Sequence, residues 1–235
     1  MISRRTMIAT AAALPLMSYL GAGASLAQEM IPPDKRKSPD EALALLRKGN
    51  DGYASGDAAE RDKSEQRRLA LLPSQSPFAA LVCCSDSRVP PELLFGRGLG
   101  ELFVVRNAGN IVDMSAMGSI EYAVAVLKVP LILILGHQSC GAVDAALSVV
   151  RKGTDYPGSI GRMIEPIIPA VLQAQREGQP DLLEASIRRN VSRIVNRLRH
   201  ASEPMLMTPL AEKSLRIVGG TYSLERGKVD FFDLA

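Results

Sequence analysis

A chain of 235 residues, 46% hydrophobic and 23% charged, carries enough apolar material for one domain with a full core, which excludes a disordered or low-complexity chain. Tryptophan is absent and aromatic residues make up 4%, so Val, Leu, Ile and Ala must build that core, and layers of helix and parallel sheet are favoured over a β-sandwich. The formal net charge of +3 falls to about +1 once Arg4 and Arg5 are set aside with the leader they belong to, leaving no basic footprint for nucleic acid or a membrane surface.

Residues 1–27 read as an export signal. Arg4 and Arg5 stand together before an uncharged apolar stretch, small residues Ser25 and Ala27 precede Gln28, and the arginine pair points to the twin-arginine route. The charge-free run from Thr6 to Gln28 is nearly long enough to span a bilayer, but Pro15 and the Gly-rich end make it a poor helix. The expectation is a periplasmic or secreted protein whose single domain runs over residues 28–235. Three cysteines are an odd number for an exported chain and do not resemble a disulfide framework. Folding around a metal before export would shield such thiols from oxidation.

After a Pro-rich lead, "SPDEALALLRKGN" predicts a helical arm with Ser38 as N-cap, Pro39 at the first helical position and Glu41 closing a capping box. Leu43, Leu45 and Leu46 give it an apolar face. A second, surface helix is predicted from Ala58 to Leu72. "FAALVCC" (Phe78 to Cys84), "LFVVR" (Leu102 to Arg106) and "LILILG" (Leu131 to Gly136) are short apolar runs of the kind found in strands buried on both faces. Between the last two, Ser119 to Val129 has helical spacing. Leu183, Ile187, Val191, Ile194 and Leu198 mark a long helix from Asp181 to Arg199, and Leu215 to Tyr222 with Lys228 to Phe232 close the chain as strands around a Gly-containing turn. The alternation predicts an α/β fold with a mainly parallel central sheet flanked by helices. Such sheets bind ligands at the carboxyl ends of their strands, and both chemically unusual segments, "CCSDSR" and "GHQSC", sit there.

The soft ligands available are Cys83, Cys84, Cys140, His137 and His200. His137 and Cys140 are close enough in sequence to reach one ion, and Cys84 can join if its strand lies beside theirs. Two cysteines and a histidine leave an open fourth position, the arrangement of a catalytic rather than a structural zinc. Alternation along the strand sends Cys83 and Cys84 to opposite faces, so Cys84 is assigned to the metal and Cys83 to the core. His200 closes the long helix, where a cation suits the helix dipole. Asp86 is open to three roles: fourth ligand, base, or partner of Arg88. Paired with Arg88 it stays ionised and aligned.

The segments "CSDSRVPPE", "GELFVVRNAGN", "GSIEYAV", "GHQSCGAV" and "VGGTYSLERGKVDFF", with "LLRKGN" in the first helix, resemble those of β-class carbonic anhydrases over nearly the whole mature chain. The resemblance implies reversible hydration of CO2 to bicarbonate and a proton by a zinc-bound hydroxide. One zinc per chain would be held by Cys84, His137 and Cys140, beside an Asp86–Arg88 dyad. It further implies a substrate pocket drawing on Gln75, Phe103, Tyr122 and the backbone N–H of Gly141. In the family that pocket forms across a dimer interface, so Gln75 would act on the partner's zinc in a homodimer or higher homo-oligomer. One branch of the family has a Trp near the first zinc cysteine that helps bind inhibitory bicarbonate while Asp displaces the zinc water. Here Leu81 occupies that place, so no such state is expected, and ligation by Asp86 would belong to an inactive form. Competing readings are a zinc hydrolase of CS2 or COS on the same scaffold and a non-catalytic zinc or thiol-redox protein. The latter leaves Asp86, Arg88 and Gln75 unexplained.

Overall fold

The computed structural model describes residues 36–57 and 61–234; the expected leader at 1–27 lies outside the described residues. In chain order the elements are α1 (Pro39–Ser55), α2 (Glu65–Ala70), β1 (Ala79–Cys84), α3 (Pro91–Leu94), β2 (Leu102–Asn107), a 3-10 turn (Ala108–Asn110), α4 (Met114–Ala125), β3 (Leu131–His137), α5 (Gly141–Lys152), α6 (Gly158–Ile164), a second 3-10 turn (Glu165–Ile167), α7 (Ile168–Arg176), α8 (Leu182–Arg199), α9 (Pro204–Ala211), β4 (Arg216–Tyr222) and β5 (Val229–Phe232). The sheet order is β2-β1-β3-β4-β5, parallel except for the β4–β5 hairpin pairing.

Period-two alternation divides the central strands between two cores. Ala80, Val82, Ile132, Ile134 and Ile217 face α4, α8 and α9, whereas Ala79, Leu81, Cys83, Leu131, Leu133, Leu135 and Val218 face α1 and α3. Each fully buried Leu, Ile or Val contributes about 1.5–3 kcal/mol from area removed from water, so the continuous apolar runs of β1 and β3 are the thermodynamic centre of the fold. The helix α8 lies close against this sheet because Gly136 and Gly219 leave room for it. A Cβ on Gly136 would stand 2.8 Å from Val191 Cγ2, and one on Gly219 2.9 Å from Val191 Cγ1.

The α1 arm follows its sequence signals: Ser38 Oγ accepts from the Glu41 amide and the Glu41 carboxylate accepts from the Ser38 amide. Buried Asn50 then ties α1 to two other elements, donating to the carbonyls of Leu94 and Gly227 and accepting from the Val229 amide.

Two predicted helices have different bounds. Residues 58–60 of the surface helix expected over 58–72 lie outside the described residues, and among the described residues 61–72 the helix covers Glu65–Ala70. Ser64 caps it, and it buries no residue, so no packing extends it. The helix expected at Ser119 to Val129 begins at Met114, where Asp113 caps the Ala116 amide, and gives way before Lys128, whose φ of 57° is incompatible with α-helix. The capping aspartate outweighed the apolar spacing as the start signal.

Topology fixes where a site can open. After β1 the chain passes to α3 on one face of the sheet, and after β3 it leads through α5 toward α8 on the other. Connections departing from adjacent parallel strands to opposite faces leave a crevice at the strands' carboxyl ends. Cys84 and His137 are the last residues of those two strands.

Candidate metal centre

Cys84 ends β1, His137 ends β3 and Cys140 is the N-cap of α5. Between the last two the chain turns sharply at Ser139, with φ 57°. All three side chains are buried, and their ligand atoms lie within 4.8 Å of one another. His137 Nδ1 stands 2.9 Å from the Gln138 carbonyl oxygen. A carbonyl only accepts, so Nδ1 carries the hydrogen and Nε2 presents a lone pair. That Nε2 is buried with no hydrogen-bond partner. An unsatisfied imidazole nitrogen facing two thiols is a costly arrangement for a structural core and a suitable one for a metal, with two soft sulfurs and one imidazole. Such a donor set fits zinc.

The sulfurs are electrostatically distinct. The hydrogen bond from Cys140 does most to pull the Cys84 thiol down, to about 4, aided by the Gly109 amide against the opposing effect of burial. Cys140 is raised by that same contact, then by burial and by the charge on Cys84, while the α5 amides of Val143 and Ala142 act against the rise. Physically the pair holds one proton between two sulfurs, and a dication would displace it. Cys83 is different: burial pushes its thiol up to about 12, and it packs with Leu81, Leu133 and Leu135. Cys84 belongs instead to a third cluster with Cys140, Val143, Ile164 and Ile167 beneath the site.

Asp86 and Arg88 do not continue the strand; they sit in a turn closed by the Val89 amide donating to the Asp86 carbonyl. Arg88 grips the carboxylate with both prongs, Nε to Oδ1 at 2.9 Å and Nη2 to Oδ2 at 2.8 Å, and its own amide adds a third bond to Oδ1. The guanidinium bonds chiefly hold the Asp86 carboxyl well below the usual carboxylate range. Asp86 Oδ2 lies 3.9 Å from His137 Nε2, so the carboxylate borders the three ligands. Arg88 also donates to the Ser139 carbonyl, linking this turn to the one between His137 and Cys140.

Three contributors escaped sequence reasoning. Arg106 in β2 donates to the carbonyls of both Cys84 and Asp86. Gly109 donates its amide to Cys84 Sγ at 3.4 Å. Asn190 in α8 donates to the Gly109 carbonyl at 3.0 Å. Each left a trace: a charge at the end of an apolar strand, a glycine just beyond it, and an amide three residues after Ile187 on a mostly apolar helix face. His200 lies apart at the C-cap of α8, its ring bonded to the Asn196 carbonyl.

Comparison with known proteins agrees with this geometry. Residues 79–229 match the family model described as carbonic anhydrase. The chain is 41% identical over 191 residues to carbonic anhydrase 2 of Mycobacterium tuberculosis, covering 81% of this chain and 91% of that protein. It is 40% identical over 195 residues to a carbonic anhydrase of Mycolicibacterium smegmatis, covering 82% and 93%. Among solved structures, a tetrameric β-carbonic anhydrase from Sordaria macrospora superposes with a TM-score of 0.63 at 26% identity, covering 81% of this chain and 95% of that one. The Coccomyxa β-carbonic anhydrase in complex with acetazolamide gives 0.62 at 29% identity, covering 80% and 85%. The chain belongs to the β-class carbonic anhydrase family.

Of the positions matching the β-carbonic anhydrase substrate pocket, the structure brings Gly141 to the cluster, as the exposed first residue of α5 next to Cys140. The others lie elsewhere in the chain. Phe103 pairs with Ala80 and Asn107 with Cys84, so Phe103 sits four residues, about 13 Å, from the ligand end of the sheet. Its ring packs on half-exposed Tyr122 with centroids 6.2 Å apart. Gln75 lies in the segment leading into β1, at the end of the strand away from Cys84. Within a single chain these three therefore lie away from the metal ligands.

Proposed function

We propose that this protein is an exported zinc enzyme that reversibly hydrates CO2 to bicarbonate and a proton. The observation that carries the reading is the convergence of Cys84, His137 and Cys140 around the unpartnered, buried His137 Nε2, with the Arg88-clamped Asp86 carboxylate at its edge. Zinc held by these three ligands would supply Lewis acidity that acidifies water into a nucleophile.

The chain's own residues do the rest. Ionised Asp86 can only accept, so it docks the O–H of the attacking water oxygen and turns a lone pair toward the CO2 carbon. Arg88 keeps that carboxylate charged and fixed in one rotamer. The Gly141 amide, a first-turn N–H with no partner inside its helix, is available to the substrate oxygen on which charge builds. Gln75, Phe103 and Tyr122 complete the pocket from the neighbouring subunit of a homodimer or larger assembly. The proton leaves through water to buffer, because His137 is committed as a ligand and His200 caps the distal end of α8.

The segment from Met1 to Ala27, with Arg4 and Arg5, directs export by the twin-arginine route to the periplasm or beyond. No helix among the described residues is long and apolar enough to cross a membrane. Side-by-side assays of CO2 hydration and of CS2 and COS hydrolysis, with zinc content measured on the same sample, test the substrate. CO2 hydration dominant over both is expected, and hydrolysis of CS2 or COS without CO2 hydration would overturn the reading.

A further inference from the structure

The Gly109 loop is held from both sides in a left-handed backbone conformation that suits its glycine and asparagine. Gly109 has φ 72° and Asn110 φ 46°, two successive left-handed residues, a conformation that costs a non-glycine residue about 1–2 kcal/mol. On one side the loop is pressed against Ile167 and Ala142: a Cβ on Gly109 would stand 2.6 Å from Ile167 Cδ1 and 3.1 Å from Ala142 Cβ. On the other, the Asn190 side chain, 3% exposed and inside an apolar helix face, donates to the Gly109 carbonyl. The same residue's amide points at Cys84 Sγ. Its neighbours Ile187, Val191 and Ile194 are core residues, and the buried Ser186 one turn earlier bonds within the helix to the Leu182 carbonyl, so the side chain of Asn190 is the one that reaches from this face to the Gly109 loop.

We propose that Asn190 is a positioning residue that, by fixing the backbone orientation at Gly109, sets how strongly the Cys84 sulfur donates to the bound metal. An N–H directed at a thiolate withdraws electron density from sulfur, weakening its donation and leaving the metal more electrophilic. The anchor lies on a different element from every ligand, so α8 packing and the metal's electronic character are linked. The inference rests on the metal-centre reading above.

The test replaces zinc with cobalt(II) and records the sulfur-to-cobalt charge-transfer band, a readout independent of turnover. Removing the anchor in Asn190→Leu should free the Gly109 amide, strengthen sulfur donation and move the band to longer wavelength. Asn190→Gln, which keeps a donor, should move it back toward the wild-type position. A role confined to packing would lower the melting temperature and leave the band in place, so a folded Asn190→Leu protein with an unshifted band overturns the proposal. Should that variant not fold, Asn190→Ala gives the same readout. A wild-type protein that takes up cobalt without a thiolate band, or takes up none, would overturn the metal-centre reading itself.

Discussion

The proposed role of Asp86 and Arg88 predicts that their loss affects turnover far more than stability. The pair is solvent-facing, with side chains 18% and 51% exposed, and an ion pair in that setting contributes about 0–1 kcal/mol to folding. For a domain of this size 1 kcal/mol moves the melting temperature by about 2–4 °C, so Asp86→Ala, Arg88→Leu and the double variant should melt within about 4 °C of wild type. Zinc content should also hold, because all three ligands remain. Turnover should not. Loss of a positioned acid–base or orienting group typically costs about 10²–10⁴-fold, and a hundredfold loss corresponds to about 2.7 kcal/mol of barrier. Arg88 acts through Asp86, by two guanidinium bonds at 2.9 and 2.8 Å, so Arg88→Leu should lose less than Asp86→Ala. The double variant should be no slower than Asp86→Ala alone. Stopped-flow CO2 hydration, with zinc analysis and thermal melts, reads all three quantities. Undiminished turnover in Asp86→Ala, or strictly multiplicative losses in the double variant, would refute the dyad.

The other predictions concern the scaffold and pH. Asn50→Ala breaks three hydrogen bonds of a buried side chain, to Leu94, Gly227 and Val229; at about 1 kcal/mol each the loss is about 3 kcal/mol, measurable as a lower urea midpoint with unchanged slope. Burial and the Tyr53 hydroxyl raise the Tyr222 phenol to about 12, against about 10 in an unfolded chain. The folded state therefore holds that proton more tightly, and its contribution to stability persists below pH 10 and is lost between 10 and 12. Urea unfolding across that window should show the decline, and Tyr222→Phe should flatten it. Two thiolates cancel the charge of a zinc dication, whereas three imidazoles, the reference case with a water pKa of about 7, leave it intact. The hydration rate should consequently rise through the alkaline range, and a stopped-flow profile already flat from neutral pH upward would count against the thiolate ligand set.

The sheet was legible because its strands are buried on both faces: Phe78 to Cys84 and Leu131 to Gly136 admit no polar residue, and that continuity is visible without a structure. The surface helix near Leu72 is shorter than its composition suggests, because its boundaries depend on capping and tertiary support. Within the site, Cys84, His137 and Cys140 announce themselves as rare residue types, two at strand ends and one at the start of a helix. Arg106 and Asn190 do not, since each acts through the backbone of another residue, and which carbonyl lies within reach is decided by the packing of β2 and α8. Phe103, Tyr122 and Gln75 came from motif resemblance, and a single chain leaves them away from the cluster.

The most direct test of the central claim is the CO2 hydration rate, by stopped flow, of purified protein carrying one zinc per chain, compared with Cys84→Ser. The account predicts hydration far above the buffer rate in the first and loss of both zinc and activity in the second. A fully zinc-loaded protein that hydrates CO2 no faster than buffer would contradict it.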